Sequence, residues 1–112
     1  MNTIVQQKTY RLFISLDKII TGFPKKDRYG LGLKLENTCL FMLEQIITAE
    51  QIAPVLKDRS LIEVSVKAEV LKILLRLCME KRLIKETVYF SLSALIIEIG
   101  KMIGGWRKSL RE

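Results

Sequence analysis

One short segment, residues 23–32 with the sequence FPKKDRYGLG, restricts the fold more than any other part of the chain. Pro24 excludes the preceding residue from the α-helical region, so no helix passes through the segment unbroken. Proline also suits the first turn of the next helix, and Asp27 places a carboxylate near the free N–H groups of that turn. Gly30 and Gly32 each cost a helix about 1 kcal/mol relative to alanine. Such a cost indicates close approach of the backbone to a neighbour; the alternative is a plain basic helix start in solvent.

Four stretches repeat their apolar residues at the spacing of an α-helix, and none shows the alternation of strands bounded by hairpin turns. Pro54 stops the second stretch, and the connection that follows offers Asp58 or Ser60 as the N-cap of the third. The predicted helices cover residues 4–21, 26–52 and 61–80, and run from Glu86 to the terminating pair Gly104-Gly105. Helices joined by short links predict an all-α fold, an antiparallel up-down-up-down four-helix bundle made of a single domain, 1–112.

The apolar repeat also predicts which side chains form the core. The expected positions are Tyr10, Phe13, Leu16 and Ile20 in the first helix, Leu35, Cys39, Met42, Ile46, Ala49 and Ala53 in the second, Val64, Ala68, Leu71, Leu75 and Cys78 in the third, and Val88, Leu92, Leu95, Ile99 and Met102 in the fourth. Ile73 and Leu74 are expected to support the third row, and Ile96 and Ile103 to lie beside the fourth. The second helix has a further apolar flank, at Leu33, Leu40, Leu43 and Ile47. A helix that is apolar over most of its circumference is buried on more than one side.

Hydrophobic residues make up 49% of a 12.9 kDa chain, which has much surface relative to its volume. We therefore expect some apolar helix surface to be buried between subunits. The net charge is +7, and residues 54–85 alone carry +4. Such a balance suits an anionic partner, although it also simply keeps a protein soluble.

The composition argues against an enzyme. The chain has no histidine, and its two cysteines, Cys39 and Cys78, lie inside apolar helical runs. We predict no catalytic residue, no metal site and no cofactor, because no Cys/His cluster or phosphate loop is present. Residues 1–8 lack the apolar core of a signal peptide, and 88–103 are expected to be too short to span a bilayer. These features predict a cytoplasmic protein without a membrane partner.

The basic residues are more informative. Lys72 and Arg76 are one helical turn apart and point the same way, while Lys81, Arg82 and Lys85 cluster where the third helix gives way to the fourth. These five are the predicted nucleic-acid contacts, made to phosphates rather than to bases.

In an up-down-up-down bundle, the first and third links lie at the same end. The cations of the first link, Lys25, Lys26 and Arg28, are therefore expected near the second cluster. Tyr29 and Trp106 lie beside basic residues and are able to stack on bases. For Trp106 we favour packing against the core. The alternative for each basic cluster is a solvated face that only provides solubility.

The order of several motifs resembles a known family. These are Phe23-Pro24-Lys25-x-x-Arg28-Tyr29-x-Leu31-Gly32, then Glu36-Asn37 and Leu43-Glu44, and Glu98-Ile99-Gly100-Lys101-x-x-Gly104-Gly105-Trp106. Together they resemble the four-helix-bundle family of the accessory variability determinant (Avd) of diversity-generating retroelements. The related bundle proteins encoded in rRNA intervening sequences share the first motif. The Gly-Gly-Trp ending near a basic tail favours the retroelement branch.

The resemblance implies a non-catalytic partner of a reverse transcriptase. It implies a basic, ring-like homopentamer that binds the transcriptase and nucleic acid, RNA or DNA, during mutagenic copying of a template RNA into cDNA. The family motifs themselves are best interpreted as positions that maintain the fold. The alternative is a stand-alone bundle of the intervening-sequence type that acts as a protein-interaction adaptor.

Overall fold

The computed structural model describes residues 3–112, which form four helices and no strand. The second helix consists of three consecutive pieces, the middle one π-helical. The helices are α1 (Ile4–Ile20), α2 (Lys25–Asp27, then π-helical Arg28–Gly32, then Leu33–Gln51), α3 (Pro54–Glu80) and α4 (Glu86–Ser109). The predicted all-α class is confirmed.

Each helix packs against the next one along the chain, and α4 returns to pack against α1. Polar contacts show the antiparallel order. Thr3 Oγ1 donates to Glu50 Oε2 at 2.6 Å, and so joins the start of α1 to the end of α2. Arg107 Nε lies 2.8 Å from Asp58 Oδ1, and so joins the end of α4 to the start of α3. The four-helix bundle therefore has the predicted up-down-up-down topology, in a body of 46 × 22 × 21 Å.

Most of the predicted core seams are confirmed. The predicted α2 and α3 rows are buried except Ala53, which is exposed at the link between the two helices. The supporting position Ile73 was predicted wrongly, because it is 68% exposed. In α4 the buried predicted residues are Leu92, Ile96, Ile99 and Ile103, and the half-buried ones are Val88, Leu95 and Met102.

In α1 the prediction is confirmed for Leu16 and Ile20, which are buried, and Phe13 is half-buried against the core. It is wrong for Tyr10, which is 43% exposed, and the buried row also contains Thr9 and Leu12. Thr9 is accommodated there because its hydroxyl donates to Val5 O at 2.8 Å, which satisfies a buried polar group.

The start of α3 was also predicted wrongly. The helix begins at Pro54, not at residue 61, because proline at the first helical position loses no hydrogen bond and has a suitable φ. Pro54 thus ends one helix and opens the next. Neither Asp58 nor Ser60 caps α3: Asp58 pairs with Arg107, and Ser60 is buried inside the helix.

Helix α4 does not end at Gly104-Gly105 but continues to Ser109. Contacts beyond the two glycines explain this. Trp106 packs against the core and lies 5.9 Å below the Lys57 ammonium, and Arg107 makes its ion pair with Asp58. These tertiary contacts outweigh the poor helix propensity of the glycines. The predicted core role of Trp106 agrees with this packing.

The longer α4 overturns one expectation about membranes. Of the helices in residues 3–112, α4 alone is long and apolar enough to cross a bilayer by length and composition. The region is not too short, because the helix runs on through the glycines. Core helices pass the same test, although only 28% of the apolar window of α4 is buried. The row by which α4 packs against α1 and α3 consists of Leu92, Ser93, Ile96, Ile99 and Ile103.

The two cysteines are free and fully buried. The Cys39 Sγ–H group lies 3.8 Å from Thr9 O. Burial raises the pKa of the Cys39 thiol to about 12 and that of Cys78 to about 11. Both thiols are therefore protonated at neutral pH and are poor nucleophiles.

The first break in the helical pattern positions α1 against α2. Phe23 is buried in the core, and Gly32 packs directly on Ile20. A Cβ atom on Gly32 would lie 2.7 Å from Ile20 Cγ2, whereas a Cβ atom on Gly30 would meet nothing within 4 Å. Close approach of the backbone was expected at both glycines and occurs only at Gly32.

We expect Gly32→Ala to lower the free energy of unfolding by about 1 kcal/mol, because overpacking against the buried Ile20 outweighs the gain in helix propensity. The matched variant Gly30→Ala has only the propensity gain and should raise the free energy by up to about 1 kcal/mol. Chemical denaturation of both variants measures the difference. Stabilisation by Gly32→Ala would contradict the close contact.

Candidate nucleic-acid interface

One end of the bundle carries two short, cation-rich links. The link between α1 and α2 and the link between α3 and α4 meet there, and Lys81 Nζ lies 2.8 Å from Asp27 Oδ1. This ion pair confirms the predicted proximity of the first and third links. We call this surface the basic end; its cations are Lys25, Lys26, Arg28, Lys81, Arg82 and Lys85.

The backbone at the end of α3 has an unusual conformation. Arg82 has a φ of 61°, the only positive φ at a non-glycine residue among residues 3–112. The Leu83 N–H donates to Cys78 O at 2.8 Å, and the Arg82 N–H donates to Met79 O at 2.9 Å. These bonds form a Schellman motif, in which glycine is the usual residue at the left-handed position. The chain therefore has an exposed arginine at a position where glycine would have a lower conformational free energy.

Arg82, Lys85 and the acidic Glu86 border a shallow depression of about 550 Å³. Its floor is formed by Leu83 and Ile84, which are half-buried against the core. The apolar floor holds the link in place while both cations remain exposed. A phosphate is able to approach the two cations without displacing a packed side chain.

The other two predicted contacts lie on α3, and each has a carboxylate partner on the same helix. Lys72 Nζ lies 3.1 Å from Glu69 Oε1, and Arg76 Nε lies 3.4 Å from Glu80 Oε2. The Arg76 side chain is 68% exposed and that of Glu80 57%. Exposed ion pairs of this kind contribute only about 0–1 kcal/mol, so a phosphate is able to replace the carboxylates.

The α3 cations and the basic end lie on one side of the bundle. Lys72 and Arg76 line a groove between α3 and α4, whose other wall includes Tyr89. The Tyr89 N–H donates to Lys85 O at 3.0 Å, so the groove lies one helical turn from the basic end. All five predicted contacts are thus distributed along the α3–α4 side and its basic end.

Aromatic side chains accompany these cations. Tyr29 is 65% exposed and lies 5.8 Å from the Arg28 guanidinium. Phe90, on the groove, is 60% exposed and was not predicted as a site residue. The sequence pattern could have identified Phe90, because it lies outside the apolar row of α4. A large aromatic side chain at such a position is exposed rather than packed in the core.

The remaining ionisable groups have structural surroundings. The hydrogen bond from Arg107 holds the pKa of the Asp58 carboxyl below its ordinary value and raises that of the Arg107 guanidinium. The pair joins α3 to α4 at the end opposite the basic end. Within residues 3–112, no group of three or more Cys, Asp or Glu side chains is placed to hold a metal ion.

The fold and the motifs agree with a comparison to protein families. No curated protein sequence matches the chain. The family model described as bAvd-like matches residues 3–110, nearly the whole chain. Proteins of the Avd-like family are accessory and non-catalytic. The chain therefore belongs to the bAvd-like family, in agreement with the Avd four-helix bundles that its motifs resemble.

Proposed function

We propose that this chain is a non-catalytic accessory protein of a diversity-generating retroelement, which binds a reverse transcriptase and nucleic acid during mutagenic reverse transcription. The family supports the accessory role. The observation that carries the nucleic-acid part is the basic end, where six cations surround two adjoining links and a single ion pair joins those links. The proposed location is the cytoplasm, where the two free thiols remain reduced.

Phosphate binding explains why the basic end has exposed cations in excess of its one ion pair, Lys81 with Asp27. Each cation that contacts a phosphate releases counterions, which supplies affinity without reading the base sequence. Arg82 strengthens this interpretation, because a residue in a strained conformation is retained where its side chain is needed. Lys72 and Arg76 extend the contact along α3.

The same proposal includes a homo-oligomeric ring, a pentamer by resemblance. Five exposed apolar residues recur along the outer side of α3 at intervals of four, four, three and four. This α3 stripe consists of Ile62, Val66, Val70, Ile73 and Leu77. On α1, diagonally across the bundle, Tyr10 and Ile14 are exposed. Apolar surfaces on opposite sides of one subunit suit head-to-tail contacts, which close into rings.

A second candidate function is a stand-alone adaptor of the intervening-sequence type. The α3 stripe favours it, because a stripe with helical spacing also fits an apolar partner helix. This candidate predicts that pull-downs recover no reverse transcriptase and that nucleic acid does not bind at physiological salt.

Replacing Arg82 should change the free energy of unfolding and the affinity for nucleic acid in opposite directions. We expect Arg82→Gly to raise the free energy of unfolding by about 1 kcal/mol, because glycine adopts the left-handed conformation without strain. The same variant should bind RNA and DNA more weakly. Lys85→Ala removes a neighbouring charge without relieving strain, so it should weaken binding with no gain in stability. Denaturation and fluorescence anisotropy measure the two effects. Unchanged binding by Arg82→Gly would remove Arg82 from the interface.

Charge reversal tests the cations on α3. The double variant Lys72→Glu/Arg76→Glu should reduce the slope of log affinity against log salt by about 2, because two phosphate contacts are lost. The helical circular-dichroism spectrum should not change. Arg11→Glu/Lys34→Glu has the same charge change on α1 and α2 and serves as the matched control. An equal loss in both variants would mean that only the net charge matters.

The α3 stripe provides the test of assembly. We expect Val66→Glu/Ile73→Glu to convert an oligomer into monomers in sedimentation velocity, because burying these carboxylates between subunits is costly. Ile4→Glu adds a carboxylate at the exposed start of α1 and should leave the oligomer intact. A wild-type chain that sediments as a monomer at micromolar concentration would contradict the ring.

A further inference from the structure

The groove between α3 and α4 combines features that simple phosphate binding does not require. It has a volume of about 360 Å³, which is within the range of small-ligand sites. Its α3 wall carries Glu69, Lys72, Ile73 and Arg76, and its α4 wall carries Tyr89, Phe90, Ser93 and Ile97. Cations, aromatic rings and a hydroxyl group thus line one cavity, and its one carboxylate is paired with Lys72.

Ser93 is the most unusual of these residues. It is 9% exposed, and its hydroxyl oxygen has no hydrogen-bond partner. Buried hydroxyl groups in folded proteins are nearly always paired, since an unpaired one costs about 1–3 kcal/mol. The buried Thr9 follows the rule, with its bond to Val5 O. Ser93 is the single such exception among residues 3–112, and it lines the groove.

The aromatic side chains provide a surface for stacking. The rings of Tyr89 and Phe90 lie 5.3 Å apart in an edge-to-face arrangement, at an interplanar angle of 64°. Tyr89 is half-buried and supports Phe90, which is 60% exposed. A base that stacks on Phe90 would lie within the same cavity as the Ser93 hydroxyl and the two cations.

We propose that this groove binds an unpaired base, so that the protein contacts single-stranded nucleic acid here. The base stacks on Phe90, and rotation of the Ser93 side chain about χ1 brings its hydroxyl group, which is covered in the free protein, to the polar edge of the base. Lys72 and Arg76 contact the neighbouring phosphates. A base within a duplex is already stacked and paired, so it offers neither contact. This inference rests on the proposed function and adds the strand type that the site recognises.

An apolar occupant, such as a helix of a second copy, fits the groove less well. It would leave the Ser93 hydroxyl unpaired and would desolvate the Lys72 and Arg76 charges without compensation. Ile73 belongs both to the groove wall and to the α3 stripe. Subunit contacts along the outer side of α3 therefore border the groove, while its α4 wall stays open.

Two substitutions of Phe90 separate stacking from apolar contact. A labelled oligonucleotide is measured by anisotropy against the full-length protein, as a single strand and annealed to its complement. Phe90→Leu keeps apolar volume without an aromatic face and should weaken single-strand binding about tenfold, with duplex binding within about twofold. Phe90→Tyr should retain the wild-type affinity. Val55→Ala, a truncation of an exposed apolar side chain at the end of the bundle opposite the basic end, should affect neither strand form.

Ser93→Ala provides a second readout. It should weaken single-strand binding several-fold without loss of stability, since it removes an unpaired hydroxyl group rather than a bond. Wild-type affinity of Phe90→Leu for the single strand overturns the inference, as does an equal loss for both strand forms. Binding of the duplex alone overturns it and leaves the proposed function standing. A wild-type protein that binds neither form overturns the proposed function itself.

Discussion

The structure depends on a limit set by its cross-section. A bundle about 22 × 21 Å across admits one row of side chains from each of its four helices. Among residues 3–112, twenty apolar residues fill this space, most of them fully buried. Apolar residues outside these rows cannot be buried within one subunit, so the α3 stripe remains exposed. The narrow cross-section thus explains why the core is filled by four rows. It also leaves the apolar surface on which the proposed assembly of copies rests.

The two ends of the bundle differ in how their charges are used. At one end, polar contacts join helix to helix: Thr3 with Glu50, and Arg107 with Asp58. At the basic end, the ion pair between Lys81 and Asp27 joins the links, and the other five cations are exposed. Both ends present positive charge, since Arg59, Lys108 and Arg111 are exposed at the first end. The polar contacts that join helix to helix lie at the first end, and the two adjoining cation-rich links lie at the basic end.

The α3–α4 side contains locally unfavourable features, a strained backbone conformation and an unpaired buried hydroxyl group. Arg82 has a left-handed conformation where glycine would be easier, and the Ser93 hydroxyl has no partner although it is buried. Phe90 exposes an aromatic ring in the same region. Natural sequences are otherwise locally consistent, so departures that cluster on one side indicate a site rather than a defect. Because these residues belong both to the basic end and to the groove, we regard the two as parts of one proposed nucleic-acid surface.

The sequence by itself determined the four helices, the seams of α2 and α3 and the pairing of the two basic links at one end, because apolar spacing and short links act locally. It did not determine the start of α3, the end of α4 or the burial of Thr9. Pro54 is compatible with the end of one helix or with the start of the next, so the sequence pattern alone does not place the start of α3. Helix α4 extends past its glycines only because Trp106 and Arg107 pack on α3. The α3–α4 groove was likewise decided by tertiary structure, since the spacing of Ser93 on α4 does not show which residues of α3 lie opposite it.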